Sequence, residues 1–184
     1  MKRLPTLTLI AAALVSLCSA ARSQTVAEYP RVPNAIMQTI VTDSEGHRFK
    51  LDDLRGNVVV LNVWGIWCGP CRAEIPDLVK LAADHKSDKL LVLGLNVGNE
   101  DGQPEKMRAI RSFQKKLDVN YGLVQASDGA MLDSFFRATR KQSLPQTMVI
   151  GPDGELRAMY TGYAPTVRFA RVTVEGILAS MTAQ

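Results

Sequence analysis

A chain of 184 residues, 46% of them hydrophobic and 22% charged, holds enough apolar material for one globular core and no more. Its formal net charge of +4 is partly local: setting aside residues 1–21 removes Lys2 and Arg3, leaving 20 basic against 18 acidic side chains, a charge of +2. No basic stripe interleaved with aromatics follows, which sets nucleic-acid binding aside.

The N-terminus reads as an export signal. Lys2 and Arg3 form a positive n-region, residues 7–17 an apolar h-region, and Ser19, Ala20 and Ala21 a small-x-small cleavage site. The boundaries are a signal segment over residues 1–23 and a single domain over 24–184. The competing reading is an uncleaved anchor acting as an N-terminal membrane tether; the apolar run falls short of the roughly 20 residues that a span needs. Lipidation at Cys18 is disfavoured because Leu17 occupies a position where a small residue is usual. Cys18 leaves with the signal, so the mature chain keeps only Cys68 and Cys71. Two cysteines in one Cys-x-x-Cys motif do not make a disulfide-stapled scaffold.

Residues 24–34, with Pro30 and Pro33, read as an extended arm. Residues 38–41 and 47–51 flank Asp43-Ser44-Glu45-Gly46 and predict a β-hairpin. Residues 58–64 are a nearly continuous apolar, β-branched run, a strand covered on both faces. Cys71, Ile75, Leu78, Val79 and Ala82 recur at helical spacing and predict a helix over 70–85, kinked at Pro76. A second buried strand covers 90–97. Met107, Ile110, Gln114 and Leu117 mark a helix, and Leu132, Phe135, Phe136 and Thr139 a short one. Strands at 146–150 and 156–162 are joined by the turn Gly151-Pro152-Asp153-Gly154. Val167, Ala170, Val174, Ile177, Leu178 and Met181 end the chain as an amphipathic helix. The order is that of an α/β domain with a central mixed sheet.

Trp67-Cys68-Gly69-Pro70-Cys71 falls between the strand over 58–64 and the helix that follows. A cysteine at a helix N-terminus faces unpaired N–H groups and the positive end of the dipole, which favour thiolate. Cys68 takes that cap, expected to be exposed; Cys71 lies one turn in, shielded. Pro70 suits the first helical turn, and Gly69 leaves the approach to Cys68 open. Such a pair performs exchange: one thiolate attacks a target disulfide, and the second cysteine resolves the mixed disulfide. A purely structural disulfide over so short a loop would add only about 2 kcal/mol. A structural zinc site wants four ligands, and beyond the two cysteines there are only His47 and His85. No metal is expected, and no cofactor beyond the Cys68–Cys71 pair itself.

The run Val60-Leu61-Asn62-Val63-Trp64 leading into Trp67-Cys68-Gly69-Pro70-Cys71, then Arg72-Ala73-Glu74-Ile75-Pro76, Leu144-Pro145-Gln146-Thr147 and Gly151-Pro152-Asp153-Gly154, resembles the thioredoxin-like superfamily. Within it the chain is similar to the TlpA/ResA-type exported thiol–disulfide oxidoreductases, over about residues 33–181. The resemblance implies a central mixed β-sheet flanked by helices, with an N-terminal β-hairpin and an inserted helix. It implies that Pro145 is the cis-proline facing the two sulfurs, that Leu144 helps set how tightly substrates are held, and that Glu74 is an acid near the active site. Glu74 could take a proton from Cys71 or tune both thiols, or be a solvated acid on the first helical turns. Asn62 departs from thioredoxin itself, which carries a buried aspartate there, so proton transfer would have to lean on Glu74 or water. Trp64 reads as core, and Trp67 as the residue that shields Cys68 and meets substrate, with Gly69, Pro70 and Leu144.

The expected function is a periplasmic reductase that keeps cysteines of exported proteins reduced, of the cytochrome c maturation or copper-site assembly type, with a membrane thiol–disulfide electron donor. The rival is an oxidant or isomerase of the same fold. A peroxidase relative is disfavoured, since no activating threonine precedes Cys68. A copper-binding carrier would need a histidine at the sulfurs, and neither His47 nor His85 is placed for it.

Overall fold

The computed structural model describes residues 34–86, 88–101, 103–126, 137, 143–163 and 166–183. The export signal expected over 1–23 lies outside the described residues, as does the helix expected around Leu132 to Thr139 apart from Arg137, which is helical. Elements follow in the order α1 (Asn34–Met37), β1 (Ile40–Asp43), β2 (Arg48–Lys50), a 3₁₀ turn (Leu51–Leu54), β3 (Val58–Trp64), α2 (Gly69–Asp84), β4 (Leu90–Asn96), α3 (Met107–Lys116), β5 (Gly122–Ala126), β6 (Gln146–Ile150), β7 (Leu156–Thr161) and α4 (Thr166–Thr182). Among the described residues, no helix is long and apolar enough to cross a membrane.

All seven residues of β3 are buried, and the strand lies inside a seven-stranded sheet of order β2-β1-β5-β4-β3-β6-β7. It pairs in parallel with β4 and antiparallel with β6. A parallel neighbour requires a crossover, and α2 supplies it. The sheet is therefore mixed, and the expected α/β architecture stands.

Side chains of β3 alternate between two cores. Val58, Val60 and Trp64 join α2, α3 and α4 through Leu78, Leu81, Ile110, Phe113, Ala170 and Val174. Val59, Leu61 and Val63 join Ile36, Val41, Leu51, Met148 and Ile150 on the other face. Each such side chain kept from water contributes about 2 kcal/mol. The same alternation puts Asn62, a polar residue, on the α2 face.

Three local expectations change. Asn34, placed in an extended arm, opens the helical turn α1. Residue 51, expected to end the second hairpin strand, begins the 3₁₀ turn instead, where the Asp53 carboxylate accepts from Lys50 N–H at 2.8 Å. β5 had no counterpart in the predicted order. It pairs in parallel with β4 and antiparallel with β1, and so joins the N-terminal hairpin to the rest of the sheet. Only Leu123 and Val124 of its five residues are buried, too short an apolar run for strand periodicity to register.

Candidate active site

The loop leaving β3 turns at once into α2. Cys68 N–H donates to Gly65 O at 3.1 Å, and Cys68 O accepts from Arg72 N–H at 3.1 Å, so Cys68 is the N-cap of α2. Its Sγ accepts from Cys71 N–H at 3.2 Å, taking up one of the orphan donors of the helix start. Pro70 sits in the first turn, where a missing N–H removes no bond. Cys68 and Cys71 form a disulfide with Cα atoms 5.2 Å apart. Position agrees with expectation; exposure does not. Cys71 is fully buried, and Cys68 is itself only 5% exposed, packed in the same core cluster. The open side is the neighbouring backbone: Gly69 and Pro70 are exposed, and nothing lies within 4 Å of where a Cβ on Gly69 would project.

Glu74 is fully buried, one turn on from Cys71 and on the same helix face. The picture of a solvated surface acid is thereby corrected: Asp77 on the next turn is exposed, and Glu74 is not. Burial pushes its carboxyl up to about 7, with the Asp77 charge adding to the rise and a hydrogen bond from Asn62 opposing it. Asn62 Nδ2 donates to Glu74 Oε1 at 2.5 Å and to Thr147 Oγ1 at 3.0 Å. Among the described residues, Glu74 Oε2 has no hydrogen-bond partner. Tyr121, also buried, lies close enough for the Glu74 charge to add to the upward push that burial exerts on its hydroxyl.

The Leu144–Pro145 peptide is cis, as the resemblance implied. Register pairs Val63 with Gln146, which brings this peptide beside the end of β3 from which the Cys68 loop departs. Leu144 is half-buried against the core that holds both cysteines. Pro145 O accepts from Gly162 N–H at 2.9 Å, joining the loop after β7 to the same edge. The two tryptophans divide as expected. Trp64 is buried and stacks on Phe113 with ring centroids 4.8 Å apart. Trp67 is 40% exposed, and its Nε1 donates to Gly98 O at 3.0 Å. Gly98 holds φ +95°, and a Cβ there would run into Gln103 O, so the carbonyl that anchors Trp67 depends on a glycine.

Residues 31–159 match the AhpC/TSA family. The chain belongs to that family. Within it, the chain is 32% identical over 142 residues to the thiol-disulfide oxidoreductase ResA of Bacillus subtilis (strain 168), covering 77% of this chain and 72% of that one. It is 30% identical to ResA of Geobacillus kaustophilus (strain HTA426), over 67% of this chain and 65% of that one, so the match to that relative spans a little under two thirds of its length. A thiol:disulfide interchange protein of the thioredoxin family from Chlorobium tepidum TLS has the same fold, with TM-score 0.61 at 22% identity over 74% of this chain and 90% of that one. A secreted Mycobacterium tuberculosis disulfide oxidoreductase homologous to Escherichia coli DsbE gives TM-score 0.61 at 22% identity, over 76% and 96%.

This member of the AhpC/TSA family is a ResA-type thiol–disulfide oxidoreductase. Its disulfide sits at a helix N-terminus, with a buried carboxyl one turn away. The histidines lie elsewhere. His85 follows the C-terminus of α2, 14 residues or about 21 Å of helix from Cys71, and pairs with Asp88 at 2.7 Å. His47 lies in the hairpin turn, bonded to Asp43 at 3.0 Å. Two residues of the site were missed as individuals: Thr147, seen only as part of a motif, and Tyr121. The bond from Asn62 to Thr147 joins residues 85 apart, through a strand register that only the fold sets.

Proposed function

We propose that this chain is an exported reductase of protein disulfides, with an export signal over residues 1–23 ahead of a domain over 24–184. The observation that carries the reading is the Cys68–Cys71 disulfide capping α2 one turn from the buried Glu74. Reduced Cys68 attacks a disulfide of an exported client, forming a mixed disulfide and releasing one client thiolate. Cys71, its proton passed to Glu74, attacks Cys68 Sγ; the second client thiolate leaves and the internal disulfide re-forms. Two electrons move from the dithiol to the client, and a membrane thiol–disulfide donor restores them. Trp67, Gly69, Pro70 and Leu144 form the client-binding rim, with the buried cis-Pro145 behind Leu144 acting in the exchange. The relatives named thiol-disulfide oxidoreductase ResA support the exchange chemistry, and the reading extends it to the periplasm and to a role of the cytochrome c maturation or copper-site assembly type. A copper carrier is disfavoured by the separation of His85 from the sulfurs.

Equilibrating the protein with glutathione buffers decides direction. A reduction potential near or below about −250 mV is expected; one near −120 mV marks an oxidant and overturns the reductase reading.

A further inference from the structure

The group that the proposed mechanism asks to hold a proton is itself held by a residue the mechanism does not use. Asn62 is 1% exposed, projects from β3 onto the α2 face, and directs one amide nitrogen at two acceptors, Glu74 Oε1 at 2.5 Å and Thr147 Oγ1 at 3.0 Å. An amide nitrogen has two hydrogens, so these two bonds saturate it. Thr147 lies directly across the β3–β6 pairing from Asn62 and is fully buried. Holding one amide hydrogen there fixes the face of Asn62 that meets Glu74. A carboxyl oxygen that accepts from Asn62 is a poor place for a proton, because the proton would meet the N–H head-on. The proton of neutral Glu74 therefore belongs on Oε2, the oxygen with no partner among the described residues.

We propose that Asn62, clasped by Thr147, is a positioning residue for the exchange reaction, fixing Glu74 so that Oε2 is the oxygen that takes the Cys71 proton and returns it. The inference rests on the reading of Glu74 given above. In the resolving step the Cys71 S–H bond breaks, its proton goes to Oε2, and its electron pair forms the bond to Cys68 Sγ. The Cys68 bond to the client sulfur breaks, and the departing thiolate takes a proton from Oε2 or water. An aspartate in place of Asn62 has no N–H to give, so it could not assign the oxygens this way. The charged or titratable groups around Glu74 are Cys68 and Cys71, Asp77 on its own helix and Tyr121 from the segment before β5.

The test is the pH dependence of single-turnover resolution of a preformed mixed disulfide, from pH 5 to 9, in the full chain. Wild type is expected to show an inflection near pH 7, and Glu74→Gln to lose it. Asn62→Leu removes the bond that favours the charged carboxylate, and is expected to move the inflection up by about one pH unit and to slow resolution. Thr147→Val should move it the same way by less, and Thr147→Ser, which keeps the hydroxyl, should restore it. These threonine variants carry the test if Asn62→Leu does not fold. An unchanged profile in Glu74→Gln sinks the role of Glu74 itself. A lost inflection in Glu74→Gln beside an unmoved one in Asn62→Leu and Thr147→Val overturns the role of Asn62 alone.

Discussion

The two ends of α2 treat a carboxylate in opposite ways. At the N-terminal end, Glu74 is sealed from solvent with Asn62 as its one hydrogen-bond donor among the described residues, and its carboxyl is pushed up to about 7. Ten residues on, Asp84 meets Lys80 Nζ at 2.9 Å and Arg171 Nη1 at 2.8 Å, and its carboxyl is held below the usual aspartate range, by Lys80 first and then Arg171. The first end supplies a group that can hold a proton near neutral pH. The second ties α2 to α4 through Asp84 and Arg171. A buried acid left with few partners keeps its proton to higher pH, while an exposed one given two cations releases it at lower pH.

The sharpest way to break the reactive end is through the sulfurs. Cys68→Ser should abolish turnover, and Cys71→Ser should accumulate mixed disulfides with client proteins, because only the resolving step is lost. Capture followed by non-reducing electrophoresis checks this. Equal trapping by both variants, or trapping by Cys68→Ser alone, reverses the assignment.

Next in size is the pH slope of stability set by Glu74. Between about pH 4.5 and 7 the folded state keeps a proton on Glu74 that the unfolded chain has released. Its stabilising contribution is full below pH 4.5 and is lost as pH rises through about 7, a decline of about 3 kcal/mol. Glu74→Gln has no charge to bury, so its stability relative to wild type should rise by that amount across the same window. Urea unfolding of the oxidised proteins at several pH values measures it. Parallel curves would mean that the carboxyl is not desolvated in solution.

Trp67→Ala should act on substrate rather than on the fold. Trp67 is 40% exposed, and losing its contact area is expected to raise KM about fivefold, with kcat and melting temperature little changed. A change confined to kcat would place the residue in the chemistry and not at the rim.

Much of this was legible from residue patterns. The boundaries of β3 follow from a nearly continuous apolar, β-branched run, those of β6 from its place before the Gly151-Pro152-Asp153-Gly154 turn, and α2 from Cys71, Ile75, Leu78, Val79 and Ala82 at helical spacing. The disulfide and its cap position follow from Cys-x-x-Cys at a strand-to-helix turn. What stayed hidden was set by distant pairing. β5 is a strand because β4 and β1 flank it, and its own five residues bury only two side chains. Glu74 looks like any acid early in a helix until β3 brings Asn62 against it. The burial of Cys68 follows from its packing with residues distant in the chain, among them Ile110, Val149 and Ala170 of the same core cluster, which no spacing encodes.

The smallest effect belongs to the far end of α2, and its sign is opposite. Asp84 has its carboxyl held low, so what it contributes is present above the usual aspartate value near 3.8 and is lost as pH falls below it. The Lys80 and Asp84 side chains are 69% and 35% accessible, so salt screens the pair. Arg171 also reaches Glu175 at 3.6 Å, and His85 stands near the same glutamate at 3.8 Å, so removing one carboxylate leaves the cluster partly paired. Asp84→Asn should therefore leave turnover and its pH profile as in wild type. It should shift the melting temperature slightly at low ionic strength, and that shift should vanish at about 1 M salt. Thermal melts of wild type and variant at two salt concentrations are the measurement. A loss of turnover, or a melting shift that survives high salt, would mean that the two ends of α2 are coupled and that the division drawn between them is wrong.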